Sequence, residues 1–248
     1  MKEVYFMNNH YYPYPVSMPH RNYPTPPVLH SRASWTPFTW VEKYQYAFSG
    51  PYNRAMVALT FDDGPDPVFT PVILEKLRKY GVKATFFLLG TNMEKFPELV
   101  KQIAAEGHVI GNHSYDHPKL ADETDDAYHQ QIQKSDALIQ TLVGYKPKFF
   151  RPPYGSITEN QVRWATEQGM MITQWSIDTL DWKGLPAQTI TDTVIANVLP
   201  GSIILQHNAP GVPLQGTVDA LEYIIPQLQM KAVRLVTLPE MFSVTIGR

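Results

Sequence analysis

Short apolar runs alternate with amphipathic stretches from about residue 55 to the end of the chain. The apolar runs are rich in β-branched and aromatic residues and are bounded by glycine, proline or polar residues, which is typical of strands buried in a parallel sheet. Seven runs are predicted as strands: 57–61, 84–89, 108–112, 149–150, 171–177, 202–205 and 233–237.

Between these runs, apolar residues recur three and four positions apart, as they do on one face of a helix. Clear examples are Ile73, Leu74 and Leu77, and then Val218, Leu221, Ile224, Ile225 and Leu228. A glycine follows four helical stretches, where a left-handed C-cap is expected: Gly81, Gly107, Gly144 and Gly169. The alternating order implies parallel strands with right-handed crossovers. About seven strands favour an α/β fold of the distorted or incomplete (β/α) barrel type over a doubly wound sheet.

The beginning of the chain has a different composition. From about residue 8 to residue 37 it is crowded with Tyr, Pro, His, Asn and Ser, and it lacks helical or strand periodicity. We therefore divide the chain into an N-terminal extended arm with its lead-in, residues 1–54, and one α/β domain, residues 55–248. The arm is either a solubilising or wrapping tail or a docking segment whose tyrosines and prolines suit an aromatic-rich assembly or a glycan surface.

The overall composition excludes several classes of protein. The 248 residues are 44% hydrophobic, which is enough for a sizeable core. The formal net charge of −2 offers no basic surface for nucleic acid, and no apolar stretch is long enough to span a membrane. Cysteine is absent, which excludes disulfides and thiolate metal ligands. Because the N-terminus lacks a secretory signal, we expect a protein that works inside the cell that made it, or one whose leader was trimmed.

Two adjacent carboxylates, Asp62 and Asp63, follow the first strand-like run. Because like charges repel, a cation, a proton or an arginine must hold them there. His113 and His117 lie four residues apart, and Pro118 disfavours a helix at His117, so this pair is expected on a turn. Taken alone, the histidine pair is as well explained by a structural role.

Together, Asp63, His113 and His117 make a set of two imidazoles and one carboxylate. Such a set binds a divalent transition metal and leaves positions open for water and a substrate oxygen. We therefore predict a metal site of these three residues. The first choice of ion is zinc (Zn2+), and Co2+, Ni2+ and Mn2+ remain alternatives.

Candidate residues for proton transfer and charge stabilisation lie beside this set. Asp62 is positioned to act as general base on a metal-bound water, or alternatively to cap the turn that follows it. Arg151 is expected to orient a carboxylate through its planar guanidinium. The two prolines after Arg151 lack an N–H, so the first free donor is the amide of Tyr154, which suits an oxyanion; the alternative is a rigid turn and nothing more.

A second acid–base pair is predicted from the later part of the chain. A carboxylate bonded to an imidazole raises the imidazole pKa and fixes its tautomer, which makes a general acid for a leaving amine. Asp181 and His207 are the candidates for this pair. Trp182 and Leu205 are candidates for an apolar pocket around a small acyl methyl group, and ordinary core packing remains the alternative.

Five strand-like runs carry polar residues just after their C-terminal ends: Asp62 with Asp63, His113, Arg151, Asp178 and His207. In a barrel these ends share one rim, which is where barrel enzymes build their sites. We therefore expect these side chains to converge.

In chain order, the segments T-F-D-D-G-P, H-S-Y-D-H-P, R-P-P-Y-G, D-T-L-D-W and I-L-Q-H resemble the five motifs of the NodB-type polysaccharide deacetylases, carbohydrate esterase family four. The resemblance covers about residues 55–245 and implies a distorted β/α barrel with an open groove. It implies that Asp62 is the general base, braced by Arg151, and that Asp63, His113 and His117 are the metal ligands. It implies that the Tyr154 amide is the oxyanion donor and that His207 is the general acid, tethered by Asp181. It also implies that Trp182 and Leu205 line the acetyl pocket.

By this resemblance, the expected function is metal-dependent removal of N-acetyl groups from N-acetylglucosamine-type residues of a polysaccharide. Peptidoglycan, chitin-like oligomers and acetylated xylan remain open as substrates. The alternatives are a glycan-binding or spore- or wall-assembly protein that docks through its arm, and a hydrolase of a small amide or ester. Many family members carry an acidic residue after the last histidine, where this chain has Asn208. We expect this difference to alter the groove edge rather than the chemistry.

Overall fold

The structure is a computed structural model that describes residues 5–7, 10–12, 36–209 and 213–247. Most of the predicted arm, and with it the predicted docking role, lies outside these residues. Two short strands near the N-terminus, β1 (Tyr5–Met7) and β2 (His10–Tyr12), pair antiparallel with each other.

The other strands form one parallel sheet. They are β3 (Tyr46–Ala47), β4 (Met56–Asp62), β5 (Thr85–Leu88), β6 (Val109–Asn112), β7 (Phe149–Phe150), β8 (Met171–Thr173), β9 (Ile177–Asp178), β10 (Ile203–His207) and β11 (Arg234–Leu235). The strand order is β3-β8-β7-β6-β5-β4-β10-β9, and β11 pairs with the start of β4. β3 belongs to this sheet although it precedes residue 55.

The connection between β8 and β9 shows that the sheet is curled. Five strands separate these two in the sheet order, yet only residues 174–176 join them in the chain. The four Cα–Cα steps from Thr173 to Ile177 span at most about 14 Å, whereas six steps across a flat sheet cover about 29 Å. The sheet must therefore bend round on itself, which confirms the predicted distorted or incomplete (β/α) barrel. The prediction of one strand over residues 171–177 is wrong, because the chain crosses the barrel opening within that run.

Helices cover the outside of the curled sheet, except for the last short helix, which packs against the interior-facing residues of β4. They are α1 (Thr36–Lys43), α2 (Phe69–Lys79), α3 (Gly90–Lys95), α4 (Pro97–Ala105), α5 (Asp125–Val143), α6 (Glu159–Glu167), α7 (Ala187–Asn197), α8 (Gln215–Met230) and α9 (Leu238–Phe242), with 3₁₀ turns at Leu120–Asp122, Pro153–Gly155 and Asp181–Lys183. The four predicted C-cap glycines all have positive φ, which confirms that assignment. Within the described residues, no helix combines the length and apolarity needed to cross a membrane.

The core has two layers because strand residues alternate between the two faces of the sheet. Along β4, Val57, Leu59 and Phe61 pack outward against the helices, whereas Met56 and Ala58 face the barrel interior. Every residue of β4 is buried, as expected for a parallel strand covered on both faces. The central strands are therefore buried on both faces, and their C-terminal ends form the rim of the barrel.

Candidate active site

The predicted polar residues meet at the C-terminal rim of the barrel. Asp62 ends β4 and His207 ends β10, and these two residues are direct neighbours in the parallel register of those strands. His113 and Arg151 follow β6 and β7, and the backbone N–H of Arg151 donates to the carbonyl of Asn112 at 3.0 Å. The structure thus brings together the residues that the sequence placed at separate strand ends.

Asp63, His113 and His117 form the candidate metal centre. Oδ1 of Asp63 lies 3.3 Å from Nε2 of His113 and 3.3 Å from Nε2 of His117. This oxygen is buried, and within the part of the chain that the structure describes it has no hydrogen-bond donor. A buried carboxylate oxygen without a donor, facing two imidazole nitrogens, is the arrangement that a divalent cation completes. The three residues therefore fit the metal that the sequence predicts.

Neighbouring groups set the charge and tautomer of these ligands. Burial raises the pKa of Asp63, but the adjacent imidazoles of His113 and His117 outweigh it, so the pKa falls well below its ordinary value. The Nδ1 of His113 donates to the carbonyl of Arg151 at 2.7 Å, which fixes the ring so that Nε2 is the nitrogen facing Asp63. The carboxylate is thus ionised. Burial lowers the pKa of His113, but the charges of Asp62 and Asp63 outweigh it and raise that pKa, so metal binding at Nε2 displaces a proton.

The ligands lie on unusual backbone. Asp63 has φ of 76° and His117 has φ of 67°, both in the left-handed region that non-glycine residues seldom adopt. The Asp63 N–H donates to the carbonyl of Phe87 at 3.1 Å, and Nδ2 of Asn92 donates to the Asp63 carbonyl at 2.7 Å. His117 lies on a turn, as predicted.

Asp62 pairs with Arg151 in the interior of the rim. Asp62 is 2% exposed and Arg151 is fully buried. Nη1 of Arg151 donates to Oδ1 of Asp62 at 2.8 Å and to Oγ1 of Thr60 at 2.9 Å, while Nε and Nη2 donate to the carbonyls of Thr173 and Gln174. The alternative role of Asp62 as a turn cap falls instead to Asp66, whose carboxylate accepts two backbone N–H groups.

Asp181 and His207 form the second predicted pair. Oδ1 of Asp181 lies 2.7 Å from Nδ1 of His207, and Oδ2 accepts from the His207 N–H at 2.8 Å and from Oγ1 of Thr217 at 2.9 Å. Burial by itself lowers the pKa of His207, but the hydrogen bond and charge of Asp181 outweigh it and raise the pKa to about 9. The imidazole is therefore protonated at neutral pH, with Nε2 free to face the rim.

The three predicted substrate contacts differ in exposure. Tyr154 has φ of 58° and a 69% exposed ring, which lies edge-on to His117 at 4.6 Å between ring centroids. Trp182 is 47% exposed, and Leu205 is buried on β10, two residues before His207 and on the same face. Asp178, also predicted at the rim, accepts from the Leu180 N–H at 2.8 Å and so shapes the turn before Trp182.

Asn208 does not lie at the groove edge, and the expectation that it alters that edge is wrong. Its side chain is fully buried, where Oδ1 accepts from the Gly64 N–H at 3.1 Å and Nδ2 donates to Oγ1 of Thr70 at 2.9 Å. A Cβ at Gly64 would lie 2.1 Å from Asn208. Asn208 therefore ties the end of β10 to the loop between β4 and α2.

Sequence reasoning missed several supporting residues: Thr60, Asn92, Gln131 and Thr217. For Thr60 a signal was available, because it lies two residues before Asp62 and so on the same face of β4. The other three carry no signal in the sequence, since only the tertiary fold brings them to the rim.

Known proteins resemble this chain over most of its length. Residues 49–173 match the family model described as polysaccharide deacetylase. A Bacillus cereus protein named peptidoglycan-N-acetylglucosamine deacetylase is 62% identical over 228 residues, which are 92% of this chain and 83% of that protein. The peptidoglycan-N-acetylglucosamine deacetylase PgdA of Listeria monocytogenes is 39% identical over 75% of this chain and 39% of its own length. The crystal structure of the Bc1960 peptidoglycan N-acetylglucosamine deacetylase superposes with a TM-score of 0.85 at 64% identity, covering 86% of this chain and 100% of that one.

Proposed function

This chain belongs to the polysaccharide deacetylase family, carbohydrate esterase family 4, and we propose that it removes the N-acetyl group from N-acetylglucosamine residues of peptidoglycan. One observation carries the proposal: the trio Asp63, His113 and His117 lies on one rim with two ion pairs, Asp62–Arg151 and Asp181–His207. The names of the Bacillus cereus and Listeria relatives support peptidoglycan over a chitin-like polymer or xylan.

Asp63, His113 and His117 hold the metal in this proposal, and zinc is the ion we expect. Two imidazoles and a carboxylate with open positions are typical of a catalytic zinc site. When bound, such an ion lowers the pKa of a coordinated water and polarises a carbonyl oxygen. Cobalt, nickel and manganese suit the same donors, so the choice among them belongs to the experiment below.

Asp62 acts as the general base. Arg151 holds Oδ1 of Asp62 at 2.8 Å, which leaves Oδ2 directed at the ligand trio, 3.7 Å from Nε2 of His113. From there Asp62 takes the proton of the water that attacks the acetyl carbonyl carbon. The backbone N–H of Tyr154 stabilises the oxyanion that forms, because the two preceding prolines leave it as the first free donor of the loop.

His207 acts as the general acid. Its raised pKa, about 9, keeps it protonated at neutral pH, and Asp181 fixes the ring so that Nε2 faces the substrate. When the bond between carbonyl carbon and nitrogen breaks, His207 gives its proton to the departing amine. The products are acetate and a free amino sugar on the polymer.

Two exposed aromatic rings suit a sugar substrate. Tyr154 and Trp182 stand at the rim with large exposed fractions, and aromatic faces pack against the apolar faces of sugar rings. We propose that Leu205, buried on β10 two residues before His207, lines an apolar pocket for the acetyl methyl group together with Trp182. Two large exposed aromatic side chains at the rim favour a polymer over a small free amide.

The test is acetate release by the purified full chain from peptidoglycan, from N-acetylglucosamine oligomers and from a small acetylated amide. We expect release from peptidoglycan to stop with a chelator and to return with added zinc, and cobalt, nickel and manganese are compared at the same concentration. Release from the small amide alone would favour the small-molecule alternative. No release by folded, metal-loaded protein would favour a binding or assembly role.

A further inference from the structure

The loop that carries two of the three ligands lacks regular secondary structure. It runs from His113 to His117, and Ser114 and His117 both have left-handed φ, 72° and 67°. Each such residue costs of order 1–3 kcal/mol and persists only where its surroundings hold it. The contacts that stabilise this loop must therefore come from neighbouring elements.

Gln131 of α5 supplies the central contact. Its Oε1 accepts two successive backbone N–H groups of the loop, from Tyr115 at 2.9 Å and from Asp116 at 3.1 Å. Its Nε2 donates to Oδ1 of Asp116 at 2.7 Å. One side chain thus satisfies two adjacent amides and fixes the residue immediately before His117.

Two further side chains complete the set of loop amides. Oδ1 of Asn112 accepts from the Ser114 N–H at 2.7 Å, and Oγ of Ser114 accepts from the His117 N–H at 3.2 Å. Four successive amides, from residue 114 to residue 117, are therefore bonded to side chains. Gln131 alone accounts for two of them, and it is the one member of this group that reaches the loop from a separate helix.

Helix α3 holds the opposite side of the loop. The N–H groups of Gly90 and Thr91 donate to the carbonyls of Ser114 and Tyr115 at 3.1 and 2.8 Å. The hydroxyl of Tyr115 donates to Glu94 at 2.8 Å. Helix α3 therefore holds carbonyls of the loop, and Gln131 holds its amides.

We infer that Gln131 is a positioning residue for the metal ligand His117. It lies outside the five motif segments and, among the described residues, makes no hydrogen bond to a ligand side chain, so it acts through the loop backbone. The inference rests on the proposed metal-dependent function, but it concerns ligand geometry and not the polymer. Residues that hydrogen-bond metal ligands directly typically change metal affinity by about 10–100-fold when they are replaced. Gln131 acts one step further away, through the loop backbone, so we expect the lower end of that range.

The experiment compares zinc affinity in three variants of the full chain, measured by competition with a chromophoric chelator. Gln131→Leu removes the acceptor and the donor, and we expect zinc binding to weaken about 10-fold or more. Gln133→Leu makes the same change at an exposed position of the same helix and should bind zinc as the wild type does. The double variant Gln131→Glu/Asp116→Asn keeps the acceptor for both amides and exchanges donor and acceptor between the two side chains, so it should recover most of the affinity.

Unchanged zinc affinity in folded Gln131→Leu would overturn the inference, as would a double variant that binds zinc no better than Gln131→Leu. If Gln131→Leu fails to fold, the single variant Gln131→Glu replaces it, because its carboxylate repels Asp116 and should weaken zinc binding relative to the double variant. Zinc affinity needs no substrate. A failure to release acetate would therefore count against the proposed function and leave this inference standing.

Discussion

The rim has two halves: an acid–base half, made of Asp62 with Arg151 and Asp181 with His207, and a ligand half, made of Asp63, His113 and His117. They differ in whether their buried polar groups have partners within the chain. In the acid–base half, Asp62 is bonded to Arg151 at 2.8 Å and His207 to Asp181 at 2.7 Å, so each charge has a partner. In the ligand half, Oδ1 of Asp63 is buried and lacks a donor among the described residues. Side chains of the protein therefore pair the charges of the proton-transfer groups, whereas the ligand half needs a cation to pair its carboxylate.

The halves also differ in backbone. Asp62 and His207 end neighbouring parallel strands in register, where the central sheet fixes them. Asp63 and His117 instead have left-handed φ and depend on side chains outside the motifs, such as Asn92 and Gln131. We expect the acid–base half to be robust to changes in surrounding loops and the ligand half to be sensitive to them.

The largest expected effect comes from the same substitution at two adjacent residues. Asp63→Asn removes the charged ligand oxygen, so we expect loss of bound zinc and of acetate release together. Asp62→Asn leaves the ligand trio intact, so zinc should stay bound while acetate release falls by about 10²–10⁴-fold through loss of the base. Zinc content after dialysis, measured beside acetate release, separates the two variants.

Stability provides the control for this pair. Asp62→Asn removes the counter-charge of fully buried Arg151, which costs about 3–5 kcal/mol. Both variants must therefore be assayed below their measured unfolding temperatures. Retained zinc in Asp63→Asn would contradict its role as ligand, and full activity in Asp62→Asn would contradict its role as base.

A smaller effect is expected in the acid–base half from Asp181→Asn. Burial lowers the pKa of His207. The charges of Asp63 and Asp62 and, to a larger extent, the hydrogen bond and charge of Asp181 raise it to about 9. Without the charge of Asp181 the pKa of His207 falls, so His207 loses its proton at a lower pH. The alkaline limb of the pH–activity profile should therefore move to lower pH by about one unit or more. Rates of acetate release from pH 6 to about pH 10 at saturating zinc measure this shift.

Thr217→Val is the matched control for that variant. It removes one hydrogen bond to Oδ2 of Asp181 but keeps the charge. We expect its alkaline limb to move less than that of Asp181→Asn. An unshifted limb in Asp181→Asn would show that another group controls the alkaline side.

Much of the fold was readable from the sequence because it depends on local patterns. Strand β4 could be predicted from its run of apolar residues. The helix ends could be predicted from glycines, because glycine adopts positive φ readily. The division between β8 and β9 was not readable. Residues 171–177 all resemble strand residues. They form two strands because β8 pairs with β7 on one side of the barrel opening and β9 pairs with β10 on the other.

The reacting groups of the site could be predicted from the sequence, but the residues that hold them in place could not. Carboxylates and histidines at strand ends are conspicuous, because few other roles need them there. Gln131 and Thr217 are ordinary polar residues on helices, and nothing near them in the chain marks them as partners of Asp116 or Asp181. Asn208 was misjudged for a related reason, since its burial depends on Gly64 and Thr70, about 140 residues away.

The smallest effect on activity is expected at His108, a buried histidine just before β6 and distant from the rim. Burial and the charge of Lys83 lower its pKa to about 4, from 6.5. Its Nδ1 accepts from the Ala84 N–H at 3.1 Å, and the ring packs edge-on to Phe86. His108 thus differs from His207, which has a carboxylate to offset its burial.

Because the pKa of His108 is depressed in the folded state, the unfolded chain takes up the proton first as pH falls. The stability that neutral His108 contributes is present above about pH 6.5 and declines by up to about 3 kcal/mol as pH approaches 4. His108→Asn keeps an acceptor for Ala84 and does not titrate, so its free energy of unfolding should fall less between pH 7 and about pH 4.5, while acetate release at pH 7 stays unchanged. Urea unfolding at the two pH values measures the difference, and parallel losses in both proteins would show that His108 does not contribute to acid sensitivity.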